Sequence, residues 1–107
     1  MMISLFFAAA SLLFSPPKTP VTLEEVFSDC WERQTVRYAS TDKRADDVVA
    51  AALAACEAQR RAHRVNALRG VKKSPRLLQV QAGLLDQWEA YRRGQMQQRV
   101  LAERQRA

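Results

Sequence analysis

Two cysteines constrain this chain more than any other feature. Cys30 and Cys56 stand 26 residues apart, and their midpoint falls at position 43. Independently of the cysteines, Ala39-Ser40-Thr41-Asp42 reads as a turn between two helical patterns. In an antiparallel helical hairpin, residues equidistant from the turn face one another, so Cys30 meets Cys56. Both also lie on the apolar stripes of their helices. A disulfide there closes a loop worth about 3.5 kcal/mol on the chain-entropy model. The spacing is neither CxxC nor CxxCH, which argues against a thioredoxin-like redox site and covalent haem.

The rest of the chain agrees with an all-α fold. Only 3 Gly and 4 Pro leave little material for the turns of a β-fold. The first helix has a well-marked start. Thr22 with Glu25 makes a capping box, and Val21 with Val26 makes a hydrophobic staple. Glu24 and Glu25 occupy the first turn, where the helix dipole favours negative charge. Leu23, Val26, Phe27, Cys30, Trp31 and Tyr38 give the apolar stripe. A second helix is expected over residues 43–69, with Asp46 and Asp47 near its start and Gly70 as its stop. Its face is Val48, Val49, Ala52, Leu53, Ala55, Cys56, Gln59 and Ala62.

In this register the acidic start of the first helix meets Arg60, Arg61 and Arg64 at the end of the second. A third helix opens at Ser74-Pro75, a cap followed by proline at the first helical position. Leu77, Val80, Leu84, Trp88 and Tyr91 form its stripe, locally weakened by Gly83 and Gly94. The expected architecture is an antiparallel, disulfide-stapled helical hairpin with the third helix laid across it. Beyond Gly94 the apolar content is thin, and the basic tail is expected to fray.

Residues 1–15 carry no charged side chain and read as a signal-like apolar segment. The apolar run is too short to cross a hydrocarbon core comfortably, and no Lys or Arg precedes it. Residues 16–21, beginning Pro16-Pro17-Lys18-Thr19-Pro20, read as an extended linker. Residues 22–107 then form the domain. Export to the periplasm or medium is the expected location, with inner-membrane anchoring or a cytoplasmic location as alternatives. Export and the disulfide support each other, because cytosolic thiols stay reduced.

No constellation for catalysis emerges. His63 is the sole histidine, and with both cysteines bridged a metal site has little to build on. It is read as a surface or hairpin-edge residue. Asp46 with Asp47, and Glu24 with Glu25, are sequence neighbours that diverge by about 100° on a helix, so neither pair makes an acid/base dyad. Trp31, Trp88 and Tyr91 are assigned to the core rather than to ligand stacking. No catalytic, cofactor-binding or metal-binding residue is assigned, and the chain is read as non-enzymatic without a cofactor.

Charge is the remaining clue. The whole chain carries +6, but unevenly: residues 16–56 hold 5 basic and 7 acidic side chains, residues 57–107 hold 12 and 4. Arg64, Arg69, Lys72, Lys73 and Arg76 surround the second turn and form a candidate surface for an anionic partner. That partner is an acidic protein, an anionic lipid or nucleic acid. Arg92, Arg93, Arg99, Arg104 and Arg106 form a second basic block, partly neutralised by Glu89 with Arg93 and Glu103 with Arg99.

The stretch from Cys30-Trp31-Glu32 through Asp46-Asp47-Val48-Val49 to Ala54-Ala55-Cys56-Glu57 resembles uncharacterised small exported bacterial proteins in which two cysteines flank a polar turn and an Ala-rich helix. The resemblance implies a two-cysteine helical hairpin and brings no functional residue with it. The expectation is a non-enzymatic, envelope-associated binding module with a basic surface. The alternatives are a cytosolic nucleic-acid-binding protein and a membrane-anchored assembly subunit.

Overall fold

The computed structural model describes residues 22–106, so the signal-like segment, the linker and Val21 of the staple lie outside the described residues. Those described are all-α, in four helices: α1 (Leu23–Tyr38), α2 (Ala45–Ala55), α3 (Glu57–Arg69) and α4 (Pro75–Arg106).

Helix α1 begins as its sequence dictates. The Thr22 hydroxyl accepts a hydrogen bond from the Glu25 amide at 3.1 Å. Its inward face is Phe27, Cys30, Trp31 and Thr35, continued by Ala39 in the turn. Leu23, Val26 and Tyr38, expected on that stripe, are exposed. The stripe closes on Thr35 and Ala39 because those positions, four and eight residues after Trp31, stay in phase with it on a 3.6-residue helix.

The Cys30–Cys56 disulfide is present, with Cα atoms 6.0 Å apart. Contacts on either side run in opposite chain order, as an antiparallel arrangement requires. Trp31 Nε1 donates to the Val49 carbonyl at 3.2 Å, and the Phe27 ring lies 5.9 Å from His63. The second arm is not the single helix expected over residues 43–69. It starts at Ala45 and breaks at Cys56, whose φ of −107° and ψ of 22° leave the helical region. The Cys56 amide bonds the Leu53 carbonyl, a tightened final turn. No Gly or Pro marks the break. Cys56 is fully buried and bridged, so packing and the bond to α1 hold it where backbone propensity alone would not.

The break rotates α3 relative to the expected face. Val48, Val49 and Ala52 are buried on α2 as read, but Ala55 and Ala62 are exposed. In their place His63 turns inward. The reading of His63 as a surface residue is therefore corrected: it is 8% exposed, packed between Phe27 and Trp88 with ring centroids at 5.9 and 5.3 Å.

Helix α4 crosses the other three and contacts each of them. Ser74 caps it, accepting from the Leu77 amide at 3.3 Å, with Pro75 at the first position. Two expectations fail here. The tail does not fray: the helix runs to Arg106, with Met96 and Val100 buried in the core. Arg104 completes the packing by donating to the carbonyls of Ala39, Thr41 and Lys43, which ties the α1–α2 loop to the end of α4. The apolar stripe is also not the buried one. Leu77, Val80, Leu84 and Tyr91 are all exposed, Trp88 is half-buried, and the core instead receives Leu85, Glu89, Met96 and Val100. A carboxylate sits in the middle of the true inward face, and its compensation lies on another helix.

Candidate functional site

The compensation comes from α3. Arg60 Nε donates to Glu89 Oε1 and Arg64 Nη1 to Glu89 Oε2, both at 2.9 Å. Arg64 also reaches Asp86 at 3.0 Å, and Arg60 lies 3.6 Å from Glu57. Residues 60 and 64 are one helical turn apart, as are 86 and 89, so two rows of opposite charge face each other across α3 and α4. Burial works against the Arg64 charge, but hydrogen bonds and charge from Glu89 and Asp86 outweigh it and hold its pKa above the ordinary guanidinium value. This clamp corrects two expectations. Glu89 pairs with α3 rather than with Arg93, and Arg60 and Arg64 pair with Glu89 on α4, Arg60 also with Glu57 on its own helix, rather than with the acidic start of α1.

Glu89→Gln should cost about 2–3 kcal/mol in urea unfolding, within the range for losing charged hydrogen bonds and below that for a fully buried ion pair. The discount reflects the partial exposure of the two arginines, at 30% and 21% of their side chains. A variant as stable as the parent would show that the clamp contributes specificity only.

Arg64 therefore does not belong to the free basic surface. The other four expected residues do. Arg69 ends α3, Lys72 and Lys73 lie in the connection, and Arg76 is the second residue of α4. All four are exposed, and none has a carboxylate partner among the described residues. Gly70 ends α3 as expected, but with an ordinary helical φ of −72°. A shallow groove of about 270 Å³, lined by Val65, Leu68, Arg69 and Lys72, opens beside this tip.

The second basic block is mostly structural. Arg92 donates to Ser28 at 2.6 Å, Arg99 spans Glu32 and Glu103, and Arg106 lies 3.5 Å from Glu103. Of the expected pairings there, Glu103 with Arg99 is present at 2.9 Å. Arg93 is exposed without an ion-pair partner among the described residues. The chain matches no protein-family model, no curated protein and no solved structure.

Among the described residues, no group of three His, Cys, Asp or Glu side chains is placed to hold a metal ion. No described helix is long and apolar enough to cross a membrane. Asp46 and Asp47 remain at the start of α2, where Asp46 pairs with Arg44 at 3.3 Å. The sequence reading missed the Glu89 clamp and the burial of His63. The i, i+4 arginines and the i, i+3 carboxylates are visible in the sequence, but only the register of α3 on α4 brings them together.

Proposed function

We propose that the protein is a small, exported, non-enzymatic binding module that engages an anionic partner through the tip where α3 turns into α4. The observation that carries this reading is uneven compensation of charge. Arg33, Arg44, Arg60, Arg61, Arg64, Arg99 and Arg106 all have carboxylates within ion-pair distance. Arg69, Lys72, Lys73 and Arg76 stand together in eight residues without one among the described residues. Clustered like charges repel, so an arrangement of this kind gains most from an external anion. The disulfide supports the exported part of the reading, because such bonds persist in oxidising compartments.

The test is binding of the oxidised protein to phosphatidylglycerol vesicles, heparin and single-stranded DNA at low and high salt. Changing Arg69, Lys72, Lys73 and Arg76 together to Gln should weaken binding on the order of 1,000-fold, from about 1 kcal/mol per cation near an anionic surface. Binding should also fall as salt rises, because the contacts are exposed. Affinity unchanged in the variant, or no binding at low salt, overturns the reading. The arm that binds most tightly identifies the class of partner.

A further inference from the structure

Helix α4 is 32 residues long, about 48 Å at helical rise. Its large apolar residues fall into a buried set and an exposed set, with Leu78 and Trp88 half-buried between them. Leu85, Met96 and Val100 enter the core, whereas Leu77, Val80, Leu84, Tyr91 and Leu101 are between 45% and 66% exposed. The exposed set has a period. Counting heptads from Leu77 as position a, Leu84 and Tyr91 also fall at a, and Val80 and Leu101 fall at d. The four remaining seam positions, Gln87, Gly94, Gln98 and Gln105, are uncharged and exposed.

The charges obey the same frame. Each of the nine charged residues of α4 lies off the a and d positions, as do the residues it buries in its own core. Burial among the described residues does not explain the seam, since every seam position is exposed. A lipid surface or an open groove would select a broad apolar face, whereas a narrow 3.5-residue seam is the geometry of one helix winding about another. An element with a matching seam is α4 of a second copy, and a two-fold axis makes one such patch complementary to itself.

We propose that the protein self-associates through an antiparallel α4–α4 coiled coil. Reversing the seam about residue 89 pairs each a position from 77 to 98 with a d position of the other copy. Leu77 then meets Leu101, Val80 meets Gln98, Leu84 meets the open space at Gly94, and Gln87 meets Tyr91. A Cβ added at Gly94 would touch nothing within 4 Å in the isolated chain, so that space is available to an incoming Leu84. The antiparallel direction also sends the two clusters of Arg69, Lys72, Lys73 and Arg76 to opposite ends, where they do not repel.

The test is the oligomeric state of the oxidised protein over a wide concentration range, by sedimentation or light scattering. The parent should shift from monomer to dimer as concentration rises. Leu77→Glu with Leu84→Glu should remove that shift while leaving helical circular dichroism unchanged, because both residues are exposed. Tyr91→Glu serves as an independent seam variant, and Arg93→Glu, off the seam, should dimerise like the parent. Direction is read by oxidation: Leu77→Cys chains should link to Leu101→Cys chains in a mixture and not to themselves. A parent that stays monomeric, seam variants that still dimerise, or self-linking of Leu77→Cys each overturns the proposal.

Discussion

Replacing both Cys30 and Cys56 by Ser should lower the unfolding free energy by about 2–5 kcal/mol, the range for native disulfides in small domains. The loop it closes spans 26 residues and joins α1 to the α2–α3 junction. The net stability of a domain this small is a few kcal/mol, so the variant should be partly unfolded at physiological temperature. Urea unfolding of the parent with and without reductant is the matched control, since reduction should reproduce the loss. A double-serine variant that melts with the oxidised parent would mean the bond does not restrain the unfolded chain.

Trp31→Ala should be at least as damaging, at about 3–5 kcal/mol for truncating a large buried aromatic. Trp31 is fully buried and stacks on Phe27, with centroids 5.5 Å apart and planes 11° from parallel. Its indole nitrogen donates to the Val49 carbonyl in α2, so the side chain joins two helices by packing and by a hydrogen bond. Trp31→Phe separates the two contributions. It keeps most of the apolar contact and should recover all but about 1–2 kcal/mol, the hydrogen bond and the smaller ring accounting for the rest. Equal loss in both variants would assign the effect to what phenylalanine lacks, the bond to Val49 and the second ring.

The features legible in the sequence are those set locally or by symmetry about one turn. The Thr22 and Ser74 caps, the acidic start of α2 and the Cys30–Cys56 partnership needed only spacing and side-chain chemistry. The reading of α4 failed because two helical phases are superposed on it. The phase built from Leu77, Val80, Leu84 and Tyr91 is the more apolar, so it looks like the core. The phase that enters the core includes Glu89, and a charge in a stripe is ordinarily a reason to reject that stripe. Only the approach of Arg60 and Arg64, 25 to 29 residues away in sequence, makes that burial affordable. The break at Cys56 was hidden for a related reason. Ala54, Ala55, Glu57 and Ala58 all favour helix, and the interruption comes from tertiary restraint.

The candidate tip was legible as a run of basic residues, but its membership was not. Arg64 looks equivalent to Arg69 in the sequence. The structure separates them by what each faces, Glu89 and Asp86 for the first and solvent for the second.

The junction at Cys56 has a mechanical meaning. The same residue is the corner between α2 and α3 and the anchor point on α1, so one covalent bond restrains three rods at a single pinned joint. Load carried down α3 from the charged tip arrives at the pin and the backbone corner together, because both are Cys56. The pin passes it to α1, while the Glu89 clamp passes a share to α4. A partner pulling on the tip would therefore strain a braced frame rather than a free hinge. Cutting the sulfur–sulfur bond would remove the brace while leaving each rod intact.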